Sequence, residues 1–137
     1  MRPIVLMLAA IALLGNASPA QQRGVRGDAT PIPADCPLKV EFGSYAMGID
    51  RNAYDAIDRL FARDRGVRRV VRQRWGREGE VTLCAITRNP ADAKRLGQRA
   101  RALVPARPRG PVTISGRGLK PYQSPAPRPK PPARPNR

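Results

Sequence analysis

Histidine is absent from this 137-residue sequence, and its absence excludes several kinds of chemistry at once. The chain lacks the usual general base, the Ser-His and Cys-His nucleophile arrangements and the commonest metal ligand. Two cysteines alone cannot complete a four-ligand zinc site. Glu78 and Glu80 lie beside Arg74 and Arg77 near a predicted turn, which favours screened surface charges over paired catalytic carboxylates. We therefore predict a protein that is not an enzyme and that carries no metal or cofactor.

Acidic and aromatic residues are both scarce. Ten Asp and Glu residues oppose 26 Lys and Arg residues, so the formal net charge is +16. Such a balance predicts attraction to anionic partners that weakens as salt is added. Aromatic residues make up 4% of the chain and fall mostly in the predicted core, so rings that could stack on nucleic-acid bases are few. An anionic lipid or cell-wall polymer is the favoured partner, ahead of nucleic acid.

The sequence also lacks an apolar run long enough to cross a membrane. Residues 1–20 begin with Met1-Arg2, continue through apolar residues 4–14 and end in small residues. The apolar stretch is about half of the ~20 residues that a span needs. This pattern is typical of a cleavable secretory signal peptide. We predict a periplasmic or extracellular protein with no transmembrane segment in the mature chain.

Composition divides the remainder into three parts. Residues 21–34 form a Gly/Pro/Arg linker, residues 35–117 have the length of one small domain, and residues 118–137 are a basic, proline-rich tail. We predict that the tail is disordered and extended. It can serve as a spacer that reaches an anionic surface, or it can be an inert soluble extension.

Hydrophobic periodicity within the domain alternates between periods of about two and 3.6 residues. The pattern predicts strands at residues 36–42, Val67–Trp75, Glu80–Thr87 and Val112–Gly116. Two helices begin after the capping residues Asp50 and Asn89, the second with Pro90 at its first position. The order β-α-β-β-α-β predicts an α+β, ferredoxin-like (split βαβ) fold, with both helices on one face of a four-stranded sheet in the order 4-1-3-2.

Cys36 and Cys84 permit one intramolecular disulfide in an oxidising compartment. The predicted strand order places their strands side by side, which makes the bridge possible. Residue alternation opposes it, because Cys36 shares parity with the core-facing Leu38 whereas Cys84 has the opposite parity to Leu83. Pro37 can redirect Cys36 to the other face. The alternative is a buried, free Cys84.

Arginines are the remaining candidate functional groups. Arg72 and Arg74 share a parity on the second strand, and Arg95 and Arg99 stand one turn apart on the second helix. The guanidinium fork binds phosphate and carboxylate bidentately, so we predict an anion-binding surface at these four residues. Trp75 follows Arg74 on the same predicted strand. We predict that it is an interface residue, and the alternative is that it belongs to the core.

The segment from residue 50 to residue 116 resembles a BON domain, a small periplasmic module associated with envelope phospholipid. The residues that carry the resemblance are the helix at 53–61, the hairpin end at 79–83, and Pro90-Ala91-Asp92 leading into a helix with Ala93 and Ala100. The resemblance implies a non-catalytic role in the cell envelope.

A second resemblance is to OmpA-like peptidoglycan-binding domains. It is carried by Phe42-Gly43-Ser44, Gln98-Arg99-Ala100 and residues 115–118. It implies that Arg99 would hold a peptide carboxylate, although Arg88 stands where that family has an aspartate. The favoured function is thus binding of an anionic envelope component, phospholipid or lipopolysaccharide head groups. The alternatives are peptidoglycan binding and a regulatory or interaction subunit of an envelope protein complex.

Overall fold

The computed structural model of the chain describes residues 30–126. The elements are β1 (Leu38–Phe42), α1 (Arg51–Arg63), β2 (Val67–Trp75), β3 (Glu80–Thr87), α2 (Pro90–Leu103), β4 (Val112–Gly116) and β5 (Tyr122–Gln123). The predicted signal peptide, residues 21–29 of the predicted linker and residues 127–137 of the predicted tail lie outside the described residues. No helix within residues 30–126 is long and apolar enough to cross a membrane.

The strands form one antiparallel sheet in the order β2-β3-β1-β4-β5. The α+β class, the two helices and the order of the first four strands agree with the prediction. Both helices bury apolar side chains against the same face of the sheet, which we call the helix-covered face. That face carries the alternate residues of β1 and β3 that are fully or almost fully buried: Leu38, Val40, Phe42, Val81, Leu83 and Ala85.

The helices begin where the capping residues predict. The Asp50 carboxylate accepts a hydrogen bond from the backbone N–H of Ala53 at 3.0 Å. The Asn89 side-chain oxygen accepts one from the N–H of Asp92 at 2.8 Å, and Pro90 follows at the first helical position. Each cap satisfies a backbone donor that the first helical turn leaves without a partner.

The prediction of four strands is wrong, because β5, which lies in the predicted disordered tail, pairs with β4. Val112 and Ser124 exchange two hydrogen bonds of 2.9 Å, one from each backbone N–H. Leu119 packs so closely on α2 that a Cβ at Gly97 would lie 2.6 Å from its Cδ1. The strand has only two residues, so it shows no periodicity that a sequence pattern can detect.

Cys36 and Cys84 are joined as a disulfide, with their Cα atoms 6.0 Å apart. The parity objection fails because β1 begins at Leu38 and not at Cys36. A turn bonds the N–H of Cys36 to the carbonyl oxygen of Pro33 at 3.1 Å, and the chain then bends at Pro37. Cys36 is thereby directed to the side of the sheet away from the helices, which we call the open face.

Reduction of the disulfide should destabilise the domain. The bridge closes a loop with a sequence separation of 48 residues, and the chain-entropy model gives about 4 kcal/mol for a loop of this length. We expect intact-mass analysis to show a gain of about two daltons on reduction, and calorimetry to show a lower Tm in reductant. Cys36→Ser is the control, since its Tm should be low already and insensitive to reductant. Equal melting of the native protein with and without reductant would contradict the bridge.

Candidate functional site

Asp64 is the carboxylate that joins the end of α1 to α2. It is the C-cap residue of α1, and its side chain is only 9% exposed. Arg95 donates two parallel hydrogen bonds to it, from Nη1 to Oδ2 at 2.8 Å and from Nη2 to Oδ1 at 2.7 Å. Arg99 donates from Nη1 to Oδ2 at 2.9 Å, and the N–H of Gly66 donates to Oδ1 at 2.8 Å. One carboxylate therefore orients two guanidinium groups on α2.

The local sequence explains how these groups meet. Arg95 and Arg99 are four residues apart and so lie on one face of α2. Asp92, in the first turn of α2, also accepts a hydrogen bond from Arg95 Nη2 at 3.0 Å. Gly66 permits the close approach of α1's end to α2, because a Cβ there would lie 2.6 Å from the Asp92 Cγ and 2.9 Å from the Arg95 Nη2.

The contacts between Asp64 and Arg95 shift the pKa of both groups. The hydrogen bonds from Arg95, with the Gly66 N–H and the charge of Arg99, hold the pKa of Asp64 well below its usual range. The carboxylates of Asp64 and Asp92 raise the pKa of Arg95 further above its already high value. Both partners are therefore ionised at neutral pH.

Four further arginines lie around Asp64, Arg95 and Arg99. They line two shallow surface depressions that share Arg63 and Asp64. We call the complete set the arginine cluster: Arg59, Arg63, Arg65, Arg88, Arg95 and Arg99. Six guanidinium groups face only two carboxylates, those of Asp64 and Asp92, so the cluster has a local charge of +4 by count.

The structure separates the four arginines predicted to bind anions. Arg95 and Arg99 lie together in the cluster. Arg72 lies on β2, where its Nε and Nη2 donate to Asp58 Oδ1 of α1 at 2.9 and 2.7 Å. Arg74 is exposed near the end of the same strand. Neither Arg72 nor Arg74 lines the depressions at the cluster.

Sequence reasoning missed Arg59, Arg63, Arg65 and Arg88. Arg59 and Arg63 are spaced by four residues on α1, and this spacing was the available signal. Arg65 and Arg88 lie in the connections that follow α1 and β3, and only the antiparallel fold brings these connections together: the N–H of Arg88 donates to the carbonyl oxygen of Gly66 at 2.9 Å.

Trp75 is outside the core. Its side chain is on the open face at the end of β2, and the residue is 46% exposed. Its indole N–H donates to the Thr82 hydroxyl oxygen at 3.0 Å. Within residues 30–126, no group of three or more His, Cys, Asp or Glu residues could hold a metal ion.

Comparison with known proteins found no matching family model, no similar curated protein and no similar solved structure. The resemblances to BON and OmpA-like domains stay predictions. The geometry of the chain itself is the basis for a functional proposal.

Replacing Asp64 by Asn should destabilise the domain and change its pH dependence. The pKa of Asp64 is lower in the folded protein than in the unfolded chain, so its contribution is complete above the unfolded value of about 3.9 and is lost as pH falls toward the folded value. We therefore expect the native protein to exceed Asp64→Asn in Tm by a constant margin from pH 7 to pH 5, and this margin to shrink below about pH 4.

Asp55→Asn is the matched control, because Asp55 is an exposed aspartate on the same helix. It should leave the Tm near that of the native protein at each pH. A Tm difference between native protein and Asp64→Asn that is the same at pH 3 and pH 7 would show that the carboxylate charge does not stabilise the fold.

Proposed function

We propose that this protein binds phosphate-bearing anions of a cell-envelope surface, lipid head groups in particular, through the arginine cluster and without catalysing a reaction. The observation that carries the proposal is the concentration of six arginines around two aspartates at one end of the helix pair. Export, inferred from the residue pattern at 1–20, makes anionic envelope lipid an abundant partner for such a surface.

The two halves of the cluster have different roles in this proposal. Arg95 and Arg99 are oriented by Asp64 but remain 45% and 55% exposed at their side chains. A guanidinium has five N–H donors, and Arg99 gives one of them to Asp64, so the others can face a phosphate. Arg63 and Arg88 are exposed and lie beside this pre-oriented pair.

Pre-orientation favours binding because ordering a long side chain costs conformational entropy. A free arginine must lose rotamer freedom when it grips a phosphate. Arg95 is already held by two aspartates and Arg99 by one, so a ligand meets donors that are largely fixed in direction. The flanking arginines add charge, which raises the local concentration of anions.

Removing two cluster arginines should weaken binding to anionic membranes. We expect Arg63→Gln/Arg88→Gln to reduce partitioning onto phosphatidylglycerol-containing vesicles about thirtyfold, since each of the two basic residues contributes about 1 kcal/mol near such a surface. Co-sedimentation measures the bound fraction. The native protein should pellet with anionic vesicles, stay in solution with phosphatidylcholine vesicles, and be released as salt rises.

Arg72→Gln/Arg74→Gln is the matched control, because it removes the same charge from a place outside the cluster. It should bind anionic vesicles more tightly than the Arg63/Arg88 variant. Equal losses in the two variants would show that the net charge of the protein, and not the cluster, determines binding. Equal pelleting of native protein with neutral and anionic vesicles would refute the lipid proposal and favour a protein partner.

A further inference from the structure

The open face of the sheet contains a groove of about 510 Å³ that the arginine cluster does not touch. Residues 32–34 form one wall, and the disulfide at Cys36 ties this segment to β3. The backbone N–H of Ile32 also donates to Gln73 Oε1 of β2 at 3.2 Å. The wall is therefore fastened to two strands. The volume lies within the range of about 300–1,000 Å³ that is usual for small-molecule sites.

The floor of the groove is polar but electrically balanced. It is formed by side chains from four adjacent strands: Lys39, Glu41, Gln73, Thr82 and Ser115. The two charged side chains neutralise each other, with Lys39 Nζ 3.2 Å from Glu41 Oε1. This balance contrasts with the domain as a whole, since residues 35–116 carry 17 basic and nine acidic residues.

Hydrogen-bonding capacity remains at the floor. Gln73 uses its carbonyl oxygen for Ile32, which leaves its amide nitrogen able to donate to a ligand. The Thr82 hydroxyl oxygen accepts the indole N–H of Trp75, and its own proton can be donated elsewhere. Ser115 adds a hydroxyl that can both donate and accept, and Glu41 adds acceptor oxygens.

Trp75 does not line the groove itself, but its exposed indole contacts Thr82, one of the floor residues. It lies two residues beyond Gln73 on β2, and Gln73 is paired with Thr82 of β3. To reach the Thr82 hydroxyl, the indole must lean diagonally across the open face and cannot point straight away from it. The residue is 46% exposed and its indole nitrogen is bonded to Thr82, so the ring offers apolar surface next to the polar floor.

We infer that this groove binds a neutral oligosaccharide. A sugar ring has an apolar C–H face that packs on an indole and an edge of hydroxyl groups that donate and accept hydrogen bonds together. The polar floor of the groove and the neighbouring Trp75 ring present both features side by side. An anion finds no unpaired cation among the lining residues, because Lys39 is already paired with Glu41. A metal ion would meet a single carboxylate that Lys39 neutralises, and an apolar ligand would have to cover the polar floor.

The groove is separate from the arginine cluster, which is the site of the proposed function. The arginine cluster belongs to the two helices and the connections at their ends, whereas the groove is on the face of the sheet that the helices leave open. Saccharide binding should be insensitive to salt, because it involves no net charge. Head-group binding should weaken as salt is added. The two proposals can therefore fail independently.

Trp75 is the one tryptophan in the sequence and contacts the floor residue Thr82, so intrinsic fluorescence reports on the edge of the groove. We expect titration of the full, disulfide-bonded chain with chitotetraose, the β-1,4-linked tetramer of N-acetylglucosamine, to change the emission saturably and equally at 50 mM and 500 mM NaCl. Maltotetraose, added in a parallel titration, tests whether linkage and the N-acetyl groups matter. Saturation with either tetrasaccharide supports the site.

Gln73→Ala and Ser115→Ala should each weaken saccharide binding by about tenfold, the effect of one lost hydrogen bond. Gln98→Ala, the same change at an exposed position on α2 away from the groove, is the matched control and should leave saccharide affinity unchanged. Calorimetric titration of Trp75→Ala, which has no fluorophore, should show no binding heat. Thermal melting of each variant identifies a change in folding.

Absence of a saturable change with both tetrasaccharides at millimolar concentration would overturn the inference. So would binding that Gln73→Ala, Ser115→Ala and Trp75→Ala leave intact. A saturable change with an extended peptide such as a hexamer of Thr and Val, without one for either sugar, would also overturn it and assign the open face to a protein partner.

Discussion

β3 is hydrogen-bonded along both of its edges, to β2 on one side and to β1 on the other, and the arrangement of both candidate sites depends on this pairing. Its side chains alternate between the helix-covered face and the open face of the sheet. Val81, Leu83 and Ala85 are buried under the helices, whereas Thr82 and Cys84 are buried on the open face. A shift of register by one residue would exchange these two sets. The helices would lose their apolar support, and the disulfide could not form at Cys84.

Charge is distributed unequally around this sheet. A few carboxylates offset the repulsion among the many basic residues of the domain. Within residues 30–126, most of the ion pairs join the helix layer to itself or to β2: Asp58 with Arg72, and Asp64 with Arg95 and Arg99. Asp64 is largely shielded from water and accepts four hydrogen bonds, so it neutralises part of the repulsion where the arginines are densest. The charged pair at the groove, Lys39 and Glu41, is balanced by itself. The two faces therefore differ in charge.

The candidate anion site was only half predictable. Arg95 and Arg99 were identified because a spacing of four residues places side chains together on any helix. Arg72 and Arg74 met the corresponding rule for a strand, yet Arg72 is engaged with Asp58 of α1, a partner 14 residues away in sequence. Alternation along a strand indicates which residues share a face, but it does not indicate which element packs against that face. Arg65 and Arg88 followed no periodic pattern, since they lie in connections that meet only in the folded chain.

Local sequence determined the identity and order of the main elements of this protein, because capping residues, turn glycines and hydrophobic period act over a few residues. Gly76 and Gly79, both at positive φ, mark the hairpin between β2 and β3 for this reason. Composition determined the basic character of the surface. Tertiary structure alone decided that Cys36 reaches the open face, that Tyr122–Gln123 becomes a fifth strand, and that Asp64 gathers the arginines of α2. Each of these depends on contacts between residues distant in sequence, and no local preference of the chain encodes where such residues meet.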